Sequence, residues 1–256
     1  MYYYIFDVKK FRKRSQIAAM RDYLGGLGIS GEFTYPTAAQ TTSELVDLGL
    51  SKQYTTIVAV GSDEIANEVA SKLLGKQAAM GFIPVEASPE LSALIGTPDW
   101  KEACQILRYR KINEIRLGRT ASGSCFIGKA ELEIKSPIDL TLEFKDYIVQ
   151  AKVKKAVIAN FDPKISKIGG DFLDISLESV TPEESAFLKK ITSIFGSKSS
   201  QGSSTSLFRA RSLRIFTKTQ IPIKTADYMI AKTPQLIEST EETLRLITAK
   251  KVSFGD

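Results

Sequence analysis

Apolar residues along the first 117 positions repeat in two alternating rhythms. Tyr2–Phe6, Glu32–Thr34, Thr55–Val60, Ala78–Pro84 and Ile112–Leu117 are short runs that read as β-strands. Thr55–Val60 is rich in β-branched residues and shows no polar alternation, the signature of a strand buried on both faces in a parallel sheet. Between these runs the spacing changes to a helical one. Ile17, Met20, Leu24 and Leu27 mark a helix over Ser15–Leu27, and Leu45 and Leu48 mark one over Thr42–Leu50. A third runs from about Asp63 to Leu74 and stops at Gly75. Ser88-Pro89-Glu90 is a helix start with Ser as N-cap and Pro in the first turn, and Trp100–Tyr109 is a further helix. Strands and helices alternating at this length predict a doubly wound parallel sheet.

After about Gly118 the rhythm changes. Cys125–Ile134, Leu140–Lys145, Tyr147–Asn160, Phe172–Leu177, Leu207–Thr217 and Gln220–Lys224 read as strands, several alternating with period two. One helix, Pro182–Phe195 with Thr181 as cap, interrupts them, and Lys198–Ser206 reads as a flexible loop by composition. The expectation is an α/β domain over residues 1–117 and an antiparallel β-sandwich over 118–256, with the last residues returning to the first domain. No internal repeat is evident.

Composition narrows the chemistry. The chain contains no histidine, which removes His general bases, Ser-His-Asp triads and zinc sites built on His. Two cysteines, Cys104 and Cys125, imply no disulfide framework. Any metal would need oxygen ligands, as Mg²⁺ or Ca²⁺ do, and no metal-ligating set is assigned. The first residues lack the features of a signal peptide, and no apolar run approaches the roughly 20 residues of a membrane span. A cytoplasmic protein is expected, with peripheral membrane contact left open. The net charge of +6 is uneven, at +1 over residues 1–117 and +5 over 118–256. That bias favours an anionic partner such as phosphate or acidic lipid, or else is a solvated surface. No basic run is paired with stacking aromatics, so nucleic acid is not expected.

The densest chemistry lies in Ile57–Val69, a buried strand, a turn at Gly61 and an amphipathic helix. In open α/β sheets such a junction is where ligands bind. Gly61-Ser62-Asp63-Glu64-Ile65 with Asn67-Glu68-Val69 resembles the Gly-Gly-Asp-Gly-Thr and Asn-Glu-Val of the diacylglycerol kinase catalytic family, which includes bacterial lipid kinases and sphingosine kinases and has NAD kinases as distant relatives. Gly81-Phe82-Ile83-Pro84-Val85-Glu86-Ala87-Ser88-Pro89-Glu90, followed by Gly96-Thr97-Pro98, keeps the frame of the family's next motif. Asp7-Val8 stands where the family has Asn-Pro, ahead of a basic run from Lys9 and Lys10 to Arg14, and Thr34 falls where the family often has Thr. Gly170-Asp171-Phe172-Leu173-Asp174 resembles its Asp-Gly-x-Leu-Asp, and Ala226-Asp227-Tyr228 its late Asp-Gly-Glu. The resemblance spans nearly the whole chain. It implies a Rossmann-like domain followed by a β-sandwich, ATP and Mg²⁺ as cofactors if the protein is active, and a lipid hydroxyl as acceptor. It assigns Gly61, Ser62, Asp63, Asn67, Glu68, Thr34, Ser88, Lys9 and Lys10 to the nucleotide side, and Asp171 and Asp174 to catalysis.

The departures from the family pattern fall on its polar groups. Glu64 replaces a glycine and adds a negative charge beside the expected triphosphate. At an effective dielectric of ~20, two unit charges ~5 Å apart repel by about 3 kcal/mol. Ser62, Asp63 and Glu64 also read as an ordinary capped helix start that satisfies its own N–H groups. Gly170 replaces the first acid of the catalytic motif, so Asp171 serves either as a displaced base or as a turn residue. Lys9–Arg14 is either a phosphate clamp or a solvated loop. The expected function is a lipid-kinase-like protein with weak or lost transfer, retaining a lipid or anionic ligand between its domains. An active kinase with altered loops, and a non-enzymatic assembly protein that dimerises through sheet edges, are the alternatives.

Overall fold

The computed structural model describes residues 1–161, 171–180 and 204–250. Gly170, the Pro182–Phe195 helix with its Thr181 cap, and residues 198–203 of the expected loop lie outside the described residues.

The first half follows its hydrophobic pattern closely. The elements are β1 (Tyr2–Phe6), α1 (Arg14–Gly26), β2 (Gly31–Thr34), α2 (Thr42–Ser51), β3 (Thr56–Gly61), α3 (Asp63–Leu73), β4 (Ala79–Pro84), α4 (Pro89–Ile95), α5 (Trp100–Tyr109) and β5 (Ile112–Ile115). A short 3-10 turn, Val8–Lys10, joins β1 to α1. Strands β2, β1, β3 and β4 lie side by side in that order and run parallel. Alternate residues face opposite layers. Tyr3, Ile5, Ile57, Ala59 and Phe82 pack with residues of α2 and α3. Tyr4, Phe6, Val58, Val60 and Ile83 pack with residues of α1 and α5. Both faces are therefore apolar, which is why β3 carries no polar alternation.

The second half is all β. It contains β6 (Gly118–Thr120), β7 (Cys125–Phe126), β8 (Lys129–Leu132), β9 (Ile138–Glu143), β10 (Ile148–Ala159), β11 (Leu173–Ser179), β12 (Ser204–Ala210), β13 (Ser212–Thr217), β14 (Pro222–Thr225), β15 (Tyr228–Lys232) and β16 (Gln235–Ser239). These strands form one continuous antiparallel sheet that closes over a core including Leu142, Val153, Ile158, Ile175, Ile215 and Ile237. β10 makes the closure possible. Its first half pairs with β9, its last residues with β8, and much of its length with β11. The chain then returns to the first sheet as β17 (Leu244–Ile247), parallel to β4 and antiparallel to β5.

Several boundaries differ from the pattern-based expectation. Leu207–Thr217 is two strands broken at Arg211, because β12 pairs with β11 whereas β13 pairs with β9 and β16. Cys125–Ile134 is also two strands, separated at Gly128 (φ +88°). Ser204–Ser206, expected in a loop, opens β12, where cross-strand pairing with β11 outweighs composition. Strands β6, β15, β16 and β17 are additions. Among the described residues, no helix is long and apolar enough to cross a membrane.

Candidate functional site

The strand order places a topological switch between β1 and β3, since the chain winds outward from β1 in both directions. A crevice opens beyond the carboxyl ends of such strands, and ligands of open α/β sheets bind there. Here hydrogen bonds tie the two strand ends together. The Asp7 N–H donates to the Val60 carbonyl at 2.8 Å. Ser62 Oγ donates to Asp7 Oδ2 at 3.0 Å. Gly61 sits between them at φ +151°, and a Cβ there would lie 2.6 Å from the Asp7 Cβ.

This arrangement corrects the expected helix cap. Ser62 is the N-cap residue of α3 by backbone geometry, but its side chain makes no capping hydrogen bond because it is turned to Asp7. Asp63 does not cap the helix either. Its buried carboxylate accepts from the Ser88 N–H at 2.7 Å and from Ser88 Oγ at 2.5 Å, tying the start of α3 to the start of α4. Ser88 in turn caps α4, accepting from the Leu91 N–H at 3.2 Å. The two motifs of the sequence thus hold each other. Glu64 and Glu68, one helical turn apart on α3, are exposed.

Asn67 lies one turn into α3 and is only 2% exposed. Its Oδ1 accepts from the Ile127 N–H at 2.9 Å, and its Nδ2 donates to Tyr228 Oη at 2.5 Å. Both partners belong to the β domain, so the side chain is a clasp between domains. Burial pushes the Tyr228 hydroxyl above its ordinary pKa. The carboxylates of Asp63, Glu64 and Glu68 push the same way, while the Asn67 hydrogen bond opposes them. Tyr228 is a neutral phenol at any physiological pH.

On the other side of Asp63 lies an interdomain cleft of about 480 Å³. Its charged lining is Asp63, Glu86, Glu90, Glu131, Glu133 and Asp227 against Lys129 and Lys224. Six carboxylates and two ammoniums leave a formal charge of −4. Both lysines are already paired: Lys129 meets Glu90 at 2.8 Å and Glu131 at 3.1 Å, and Lys224 meets Glu133 at 2.8 Å. Burial disfavours the Lys129 charge, but hydrogen bonds and attraction from Glu90 and Glu131 outweigh it and raise its pKa. Among the described residues, no three acids or cysteines converge as a metal site.

The remaining candidates are dispersed. Lys9 and Lys10 line a separate opening of about 560 Å³ at the strand ends, together with Asp7, Glu64 and Glu86. Thr34 lines a third cleft on the α1 side of the sheet. Asp171 lines none of these. Its carboxylate bridges Arg116 Nε at 2.8 Å and an Arg211 guanidinium nitrogen at 2.9 Å. Asp174 is buried and pairs across strands with Arg209 Nε at 2.8 Å. Sequence reasoning missed Tyr228 as Asn67's partner, and it missed the lysine-braced acids of β8. Their alternating charges, Lys129, Glu131 and Glu133, were the available signal. Because Asp171 is about half-exposed, its pairs contribute little. Asp171→Asn is expected to lower stability by no more than about 1 kcal/mol in a denaturant titration. A loss above about 3 kcal/mol would show that this bridge anchors the start of β11.

The architecture is a three-layer α/β unit clasped to an antiparallel β unit, with the final strand returned to the first sheet. A solved structure of a diacylglycerol kinase from Bacillus anthracis str. Sterne superimposes with TM-score 0.74 at 15% identity, covering 98% of each chain. Two further structures from that organism, carrying the assignment provisionally, superimpose with TM-scores 0.76 and 0.77 at 14% identity, over 98% of this chain and 98% and 97% of theirs. At this identity the likeness establishes a shared fold. No family model matches the sequence, and no curated protein matches it.

Proposed function

We propose that this is a diacylglycerol-kinase-like protein whose phosphotransfer is weak or lost. The observation that carries the reading is the charge of the interdomain cleft, six carboxylates against two lysines that are already neutralised by their neighbours. A nucleoside triphosphate brings about four negative charges. Each unlike-placed pair of negative charges ~8 Å apart costs about 2 kcal/mol at an effective dielectric of ~20. Phosphoryl transfer depends on positioned cations and donors around the phosphates. The residues here do not fit that group. The cleft's lysines are taken, no acids among the described residues converge on a metal, and the switch-point strand ends are bridged by Asp7 and Ser62. Asp171 and Asp174, the acids expected to act as base, are held by arginines. The same charge weighs against an anionic ligand in this cleft and favours a lipid with an uncharged head.

Calorimetry with ATP, with and without Mg²⁺, tests this directly. Under this reading, no saturable binding appears at millimolar nucleotide. Diacylglycerol phosphorylation at ordinary kinase rates, ~1–100 s⁻¹, would overturn the proposal.

A further inference from the structure

The largest of the described openings is not in the interdomain cleft. It lies on the opposite layer of the first sheet, between the β1–α1 connection, the exposed face of α1 and the end of β2, and has a volume of about 660 Å³. We infer that this cleft is a binding site for a small anionic amphiphile, a ligand with one phosphate or carboxylate head and a compact apolar body. The cleft shares no residue with the interdomain one, although Thr34 and part of the basic run that the resemblance puts on the nucleotide side line it.

The cleft has a charged rim and an apolar interior. Arg12, Arg14 and Arg21 supply three guanidinium groups, and no acidic residue lines the opening. Among the described residues, none of the three forms an ion pair with a carboxylate. Arg21 instead lies over the Phe33 ring, 4.6 Å from its centroid. Three like charges gathered around one concavity repel each other, and a bound anion relieves that repulsion. Guanidinium groups also match phosphate and carboxylate oxygens in geometry.

The local backbone adds to this. α1 is a 13-residue helix whose first turn has no acid and begins with Arg14, an unfavourable placement beside the positive end of the helix dipole. An anion held by Arg12 and Arg14 would offset both. Beneath the rim, Phe6, Phe11, Phe33 and Ile17 form apolar walls, and Tyr35, 55% exposed, stands at the mouth. Most small-molecule sites share this composition, a concave apolar body with a few convergent polar groups, and span about 300–1,000 Å³.

The test is calorimetric titration of the full chain with hexyl phosphate below its micellar range, with inorganic phosphate, and with phosphatidylglycerol vesicles. Hexyl phosphate is expected to bind saturably at one site, and inorganic phosphate about tenfold or more weakly. The double variant Arg12→Gln/Arg21→Gln removes head contacts. Ala18→Phe fills the cleft from the exposed face of α1 and leaves its charge unchanged. Each is expected to weaken hexyl phosphate binding by about tenfold or more. The side chains altered are all exposed, so both variants should melt with the parent protein. The inference fails if Ala18→Phe binds hexyl phosphate as the parent does, since the cleft would then play no part. It also fails if hexyl and inorganic phosphate bind alike, or if only vesicles bind, since a basic surface alone explains those results.

Discussion

Asn67→Ala is expected to destabilise the protein by about 2–5 kcal/mol and to lower its melting temperature by roughly 5–15 °C. The side chain is almost fully buried and spends both ends of its amide on the β domain. Truncation leaves the buried Ile127 N–H without its acceptor and the partly buried Tyr228 hydroxyl without its donor. Each stranded group costs about 1–3 kcal/mol, more than the net worth of the bond that was lost. Tyr228→Phe provides the control. It removes only the hydroxyl, leaves one Asn67 donor unsatisfied, and should cost about half as much. Thermal melts of the two variants check the ordering. Equal and small losses, below about 1 kcal/mol, would mean the clasp does not hold the domains together.

This role also changes how the Asn-Glu-Val element is read. Its survival beside a substituted glycine loop suggested a remnant of nucleotide chemistry. In the structure the asparagine is a fastener, and a fastener is retained whether or not phosphate is transferred. Asp63 is similar, holding the start of α4 through Ser88. Two polar residues that the resemblance assigns to the nucleotide side thus have structural work sufficient to explain them.

The fold of the first half was legible because its central strands β1, β3 and β4 are buried on both faces and its longer helices carry an apolar stripe. Tyr2–Phe6 and Trp100–Tyr109 match the observed boundaries, and the other elements shift by a residue or so. In the second half, many strands bury only one face and most are short, so pattern alone could not divide Leu207–Thr217 between two partners. The return of the last residues to the first domain was expected, but pattern did not mark β17 as a strand or pair it with β4 and β5, more than a hundred residues away. The site was harder still. The order of motifs pointed to the β3–α3 junction, but residue type does not disclose which way a side chain turns. Ser62 faces Asp7 rather than its own helix, and Thr34 lies across the sheet from Gly61. The acidity of the interdomain cleft depends on Glu90 meeting β8, and only the tertiary fold shows that.

Gly61→Ala should have an effect as large as the loss of the clasp, by a different route. At φ +151° an L side chain is strained, a cost of about 1–3 kcal/mol. The new methyl would also meet the Asp7 Cβ at 2.6 Å and the Ile65 Cγ2 at 3.2 Å. Overpacking of this kind adds about 1–3 kcal/mol, for an expected total of about 2–6 kcal/mol. The two contributions separate in a double-mutant cycle. Asp7→Gly removes the nearer clashing atom but leaves the backbone strain. In the Gly61→Ala/Asp7→Gly protein, the alanine should therefore cost only about 1–3 kcal/mol relative to Asp7→Gly alone, a coupling of about 1 kcal/mol or more. Additive losses in urea titration would show that β1 and β3 relax apart readily. The crevice between them would then be an adjustable opening, and the Asp7–Ser62 bridge would no longer count against a ligand at the switch point.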